Sequence, residues 1–275
     1  MRAVATVLMV SAGLCWSATY LLIIRQGMRD RTYGMPIVAL CANISWELIF
    51  SFLPSQLVAQ RVINVAWLGL DAVIWWQALR FGPREFPRMP RRVFYAMFGL
   101  AQVVAFGTVL ALTYEFDDWK GYYAAYGQSL LMSALFLAML ASRGSLRGQS
   151  MSIAVTKLFG TVFVSIAFTV YPLEHGDSVL LPFLYVVCAV LDVAYVVAVF
   201  LVGRAERAGA PVASAAGPAA PASSGDTPLA APASGGEGKG SERQGGEGKG
   251  SERQGGEMAG SRGPGSAAEG YRGVD

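Results

Sequence analysis

Seven apolar stretches, each about twenty residues long, leave this chain little choice of fold. They cover about 4–24, 34–54, 62–80, 92–114, 121–141, 151–171 and 180–203. A helix rises about 1.5 Å per residue, so ~20 apolar residues cross a hydrocarbon core of about 30 Å. Inside that core no water bonds the backbone, and only helices and closed barrels satisfy their own polar groups. The segments therefore predict an all-α membrane protein, a seven-transmembrane-helix bundle whose third helix is short. Pro36, Pro54, Pro172 and Pro182 fall near predicted helix ends, where proline is tolerated. The first stretch exceeds signal-peptide length and is followed by basic residues rather than small ones, so it reads as a helix and not a cleaved leader.

Loop charge sets the orientation. Arg25, Arg29 and Arg31 follow the first segment, and Arg80, Arg84, Arg88, Arg91 and Arg92 follow the third. Arg143 and Arg147 follow the fifth, and the seventh runs into Arg204 and Arg207. The alternate loops hold Arg61, then Glu115, Asp117, Asp118 and Lys120, then Glu174, His175 and Asp177. By the positive-inside rule the N-terminus lies outside and the C-terminus in the cytoplasm, in a multi-pass protein of the cell membrane. The net charge of +3 is thus a topology signal and not a nucleic-acid footprint. The first partner implied is the lipid bilayer. His175, the chain's sole histidine, reads as a solvated loop residue.

Past about residue 208 the composition turns to Ala, Pro, Gly and Ser, and GGEGKGSERQ at 235–244 recurs at 245–254. Such a segment has too little apolar surface to offset its ordering entropy. The expected organisation is a transmembrane domain over 1–203 and a disordered, low-complexity cytoplasmic tail over 204–275.

Within the bundle, ionisable residues stand out because hydrocarbon penalises them. Glu47, Asp71, Lys157 and Asp192 each lie inside an apolar segment. Their neighbours repeat at helical spacing. Asn43 and Glu47 are four apart, and Trp67, Asp71 and Trp75 form a second ladder. Tyr185, Asp192 and Tyr195 share a side of the seventh segment; Tyr122, Tyr126, Ser129 and Ser133 do so in the fifth, and Phe98, Gln102 and Phe106 in the fourth. These faces are expected to point inward, with Glu47, Asp71 and Asp192 on one cavity between the second, third and seventh helices. Asp71 and Lys157 are a candidate ion pair, since a buried charge needs a partner. Trp119 and Tyr171 read as interfacial belt residues.

Acids in an apolar, aromatic-walled space suit one chemistry. A carboxylic acid there holds a proton to donate, and aromatic faces stabilise the cation that protonation creates. Other chemistries lack their signatures: there is no GxxxxGK[ST], GxSxG or HExxH. Asp117 and Asp118 continue as DDWKG, not the DDxxD of a diphosphate-ionising metal cluster, and no DxDD occurs. Helix 7 lacks the lysine of a microbial retinal protein. Cys15, Cys41 and Cys188 lie in apolar segments without CxxC spacing, so neither a disulfide framework nor a zinc site follows. No metal or other cofactor is implied.

Four segments carry a family likeness: TYGMPIVALCANISWE at 32–47, WLGLDAVI at 67–74, RGSLRGQSMSIAVTKLFGT at 143–161 and LDVAYVVAV at 191–199. In order and spacing they resemble the small seven-helix membrane terpene cyclases of meroterpenoid and indole-terpenoid pathways, the fungal pyripyropene and paxilline types with bacterial drimentine-type relatives. The resemblance implies a metal-free cyclase of isomerase or lyase type that protonates a terminal alkene or epoxide. Its two acidic residues implicated in protonation correspond to Glu47 in N-x-x-W-E and Asp192 in D-x-x-Y. The implied substrate is a prenylated, farnesyl-type small molecule, such as a farnesylated indole or diketopiperazine, with a prenyltransferase of the same pathway as a possible partner. Trp67, Asp71, Trp75 and Lys157 are candidates for cation stabilisation, and Asn43, Gln102, Gln128 and Tyr195 for positioning acids or substrate. The alternative from a different class is a proton-coupled small-molecule transporter using Glu47, Asp71, Lys157 and Asp192 as a relay. The chain shows no repeat between its first and last three segments to support that reading.

Overall fold

The structure is a computed structural model and describes residues 2–53, 57–171 and 177–209. Pro54, Pro172, Glu174, His175 and the tail from residue 210 lie outside the described residues. Seven helices form among those that are described: α1 (Arg2–Asp30), α2 (Ile37–Phe52), α3 (Val58–Glu85), α4 (Arg91–Glu115), α5 (Tyr122–Arg143), α6 (Met151–Val170) and α7 (Leu180–Arg207). Six are long and apolar enough to cross a membrane. The outer faces are apolar, with Leu14, Leu100, Val103 and Phe183 all turned outward. A soluble core would hide such residues; a lipid-facing surface requires them.

The exception is α2, with 16 residues and a length of about 24 Å. The third helix, expected to be short, has 28 residues. The reason is local. Gln60, Arg61 and Asn64 lower the hydropathy at the start of α3 but continue the helix, because their side chains have partners. Arg61 Nε donates to Ser51 O at 3.2 Å, Asn64 Nδ2 to Phe50 O at 3.3 Å and Gln60 Nε2 to Asn64 Oδ1 at 2.8 Å. The first two bonds tie the start of α3 to the last turn of α2, and the third holds Asn64 in place.

Short α2 is also the most central helix. It packs against α3, α4 and α5, while α1 packs on α6 and α3, and α7 chiefly on α5 and α6. Nine of its residues are buried, among them Ala39, Cys41, Ala42 and Ser45, whose small side chains let neighbouring helices approach closely. The residues that stay polar on α2 therefore lie in the middle of the bundle.

One end of the bundle is latched by polar contacts between loops. Arg143 stacks over the Tyr33 ring at 4.5 Å and donates to Thr32 Oγ1 at 3.2 Å, Tyr33 O at 3.1 Å and Arg147 O at 2.8 Å. Arg147 pairs with Glu85 at 2.8 Å, and Gly148 N donates to Asp30 Oδ2 at 2.7 Å. Two of the segments that carry the family likeness, TYG and RGSLRGQS, meet in this latch.

Candidate active site

The ionisable residues singled out inside the helices, Glu47, Asp71, Lys157 and Asp192, sort into two centres. The first is organised by Asn43. Its Nδ2 lies 2.7 Å from Asp71 Oδ2, 3.2 Å from Glu47 Oε1 and 2.6 Å from Tyr20 Oη. Tyr20 Oη in turn donates to Glu47 Oε1 at 2.9 Å, and Gln128 Nε2 donates to Asn43 Oδ1 at 3.2 Å. Helices α1, α2, α3 and α5 each supply a member. Glu47 and Asp71 are 1% and 0% exposed, yet Glu47 Oε2 and Asp71 Oδ1 have no hydrogen-bond partner among the described residues. Each acid thus has one oxygen held by a donor and one that accepts from none, and the two carboxyl groups are within hydrogen-bonding reach of each other.

Aromatic rings flank this centre, as the ladder on α3 predicted. Trp67 stands edge-on to Tyr20 at 6.2 Å and its Nε1 donates to Ser17 Oγ at 3.0 Å. Trp75 sits edge-on to Phe98 at 5.4 Å and donates to Gln102 Oε1 at 3.2 Å. Gln102 is fixed from the other side by donating to Ser45 Oγ at 2.8 Å and Cys41 O at 3.3 Å. Trp75 and Gln102 thereby tie α3 and α4 to α2.

The second centre is an ion pair. Lys157 Nζ bonds Asp192 Oδ1, and both side chains are fully buried. Lys157 also donates to Ser133 Oγ at 2.7 Å and lies 5.9 Å from the ring centroids of both Trp16 and Phe136. A buried lysine with a carboxylate, a hydroxyl and two π-faces has the partners its charge demands. Tyr195, one turn beyond Asp192, donates to Gln149 Oε1 at 2.9 Å and packs on Phe136 at 5.2 Å.

Trp16 lies between the centres. Its ring is 6.2 Å from that of Tyr20 and beneath Lys157. The α1–α6 approach that seats it depends on Gly160: a Cβ there would fall 2.8 Å from Trp16 Cδ1.

Three expectations need correction. Asp71 does not pair with Lys157; its bonded partner is Asn43, because the helix facing Lys157 is α7. Asp192 accordingly belongs to a centre on α5, α6 and α7, and no hydrogen bond among the described residues joins it to Glu47 and Asp71. Phe106 faces outward at 36% exposed, since the buried stripe of α4 runs through Phe94, Phe98, Ala105 and Val109 instead. Tyr185, two turns before Asp192 on the same side of α7, packs inward on Tyr126 and Phe168 as expected. Sequence reasoning missed Tyr20, Trp16 and Gln149. Trp16 and Tyr20 are four apart in an apolar helix, the same spacing that marked the other ladders.

Residues 1–205 match the family of Pyr4-like transmembrane terpene cyclases. Among relatives, a Pyr4-family terpene cyclase, mfmH, of Annulohypoxylon moriforme is 31% identical over 200 residues, covering 68% of this chain and 82% of its own length. Terpene cyclase pyr4 of Aspergillus fumigatus is 32% identical over 211 residues, covering 72% and 86%. Asnovolin H synthase nvfL of Aspergillus novofumigatus is 29% identical over 171 residues, covering 61% and 70%. No solved structure matches. A helical bundle with a lipid-type surface and an acid-bearing interior defines a multi-pass membrane protein. The chain belongs to the Pyr4-like transmembrane terpene cyclase family.

Proposed function

We propose that this chain cyclises a prenylated, farnesyl-type small molecule by protonating its terminal alkene or epoxide, with Glu47 as proton donor. The observation that carries this reading is charge balance. Asp192 faces a lysine, whereas Glu47 and Asp71 face only an amide, a phenol and one another. With no cation facing them, the two acids leave this region without net charge only when both carry a proton, which keeps Glu47 in its proton-bearing form. Its Oε1 is held by Tyr20 and Asn43, so the free Oε2 is the oxygen placed to deliver the proton. The same two donors then stabilise the carboxylate left behind.

Proton addition at the inner CH carbon of the terminal alkene leaves a tertiary cation on the distal dimethyl carbon, which inner double bonds attack in turn. Trp67, Trp75 and Tyr20 offer π-faces for that charge. Asp192, held as a carboxylate by Lys157, is the group we assign to the later cation and to the final proton. Asn43, Gln128, Gln102 and Tyr195 act as positioning residues. The activity resides in the bundle, about 1–203, with the basic ends cytoplasmic. The low-complexity tail is dispensable, so removing residues 208–275 leaves folding and turnover nearly intact.

The test is incubation of membranes containing the protein with a farnesylated indole or diketopiperazine. A product of unchanged mass with fewer double bonds supports the reading; untouched substrate from well-inserted protein refutes it. The buried Lys157–Asp192 pair also fits a proton relay in a carrier. Uptake of protons by loaded vesicles, with every prenylated substrate unchanged, would favour that second reading.

A further inference from the structure

Five arginines crowd the α3–α4 connection, more than orientation alone requires, and three of them line a concave pocket of about 280 Å³ with Trp76, Leu79, Pro83 and Tyr95. Among the described residues Arg80, Arg84 and Arg91 make no side-chain hydrogen bond or ion pair; Arg80 touches only the Phe81 ring, at 6.0 Å. Glu85, next in sequence, is occupied elsewhere by Thr32 Oγ1 at 2.9 Å and by Arg147. Three unneutralised guanidinium groups converge where no protein anion meets them.

The pocket is built, not incidental. Pro83 lies inside α3 and has no N–H for the Leu79 carbonyl one turn back. Tyr95 of α4 reaches across with its hydroxyl 3.4 Å from Leu79 O. Gly82 lets α4 come close enough for this, because a Cβ there would fall 2.4 Å from Phe94 Cζ. The proline, the glycine and the tyrosine together fix the floor between the two helices.

The stripe Val73, Trp76, Arg80, Arg84 recurs at steps of three, four and four along α3, so these residues share one face. Its chemistry changes from apolar to aromatic to cationic. On α4, Gly99 and Val103, one and two turns beyond Tyr95 on the same side, are exposed and continue the apolar surface in the same direction. That order matches the depth profile of a phospholipid: acyl chain, interface, phosphate.

We propose that this pocket binds the phosphate headgroup of an anionic phospholipid, with Arg80, Arg84 and Arg91 on the phosphate and the acyl chains along Val73 and Val103. Guanidinium forks bond phosphate oxygens in pairs, and a basic residue near an anionic surface is worth about fivefold in affinity. Three together give a preference on the order of 100-fold for phosphatidylglycerol over phosphatidylcholine.

The experiment places the full chain in nanodiscs of phosphatidylcholine with graded phosphatidylglycerol and measures retained lipid by native mass spectrometry. Wild type is expected to retain phosphatidylglycerol selectively, and R80Q/R84Q/R91Q to lose that selectivity. R80K/R84K/R91K should keep most of it, and R88Q/R92Q, outside the pocket, nearly all. Arg80→Gln alone, with about a fivefold loss, provides the readout if the triple variant does not fold. Equal selectivity in wild type and the glutamine variants, or an equal loss in R88Q/R92Q, overturns the site. Displacement of the lipid by millimolar glycerol phosphate or pyrophosphate identifies a soluble phosphate as the ligand and overturns the lipid assignment.

Discussion

The two buried acidic centres solve one problem in opposite ways. On α6 and α7, Asp192 is balanced by Lys157, and the pair is further bonded by Ser133 and faced by two rings. On α2 and α3, Glu47 and Asp71 are gathered by one asparagine amide with no cation beside them. The first arrangement stabilises a charge; on the proposed mechanism the second stores a proton. A cyclisation that starts with a proton and proceeds through cations has a use for both.

The largest effect expected from this contrast is on rate. Glu47→Gln preserves size and both bonds to Oε1 but carries no acidic proton, so turnover should fall by about 10²–10⁴, the usual contribution of a positioned general acid. Expression should hold, since a neutral amide in the membrane costs less than a carboxylate. Asp192→Asn should also abolish turnover, but with a stability loss that Glu47→Gln does not share. Product formation in membranes and thermal unfolding in detergent separate the two. Wild-type turnover by both amide variants would remove these acids from the mechanism.

Breaking the ion pair from its other side comes next. Lys157→Met leaves Asp192 buried and uncompensated, a change that costs roughly 3–5 kcal/mol. Replacing both members, as Lys157→Met with Asp192→Leu, should recover most of that stability while turnover stays lost. Unfolding measurements on the two singles and the double decide the matter. If the double variant is no more stable than the singles, the pair is not what makes them fragile.

How much of this contrast was legible in the sequence depends on what sets each feature. Hydropathy located all seven helices, since lipid acts on each segment separately. It misjudged α2 and α3, because it measures apolar length and not helix length. Arg61 and Asn64 look like loop until their bonds to Ser51 and Phe50 are seen. The i, i+4 ladders picked Glu47 with Asn43 and Asp71 with the two tryptophans, since facing is a local property of a helix. Partner choice is not local. Nothing in the chain order says that Lys157 meets Asp192 rather than Asp71, or that Tyr20 crosses from α1 to Glu47. The RGSLRGQS segment shows the same limit: its likeness was visible, but its work in latching Thr32, Tyr33 and Asp30 depends on contacts more than a hundred residues apart.

A smaller effect tests which acid of the uncompensated pair holds the reactive proton. Asp71→Asn keeps an oxygen for Asn43 Nδ2, so the network around Glu47 survives. Turnover should drop by about tenfold, less than for Glu47→Gln, if Asp71 only tunes its neighbour. Solvent deuterium should still enter the product at the initiating carbon. A loss matching that of Glu47→Gln would move the donor to Asp71 and leave the contrast between the centres standing with its roles reassigned.

The smallest effect expected is on product identity and not on rate. Trp75 is partly buried, edge-on to Phe98 and bonded to Gln102. Trp75→Leu removes the indole face but keeps an apolar side chain, so the loss of packing is limited. A cation–π contact contributes roughly 0.5–2 kcal/mol, enough to shift a branch between ring closure and early deprotonation by about twofold to thirtyfold. On the proposed mechanism the proton still comes from Glu47, so total consumption of substrate should stay within a few fold of wild type. Partially cyclised alkenes should accumulate at the expense of the full ring system. Gas chromatography of the extracted products measures that ratio. An unchanged ratio with unchanged rate would place Trp75 outside the path of the cation and leave its bond to Gln102 as its whole contribution.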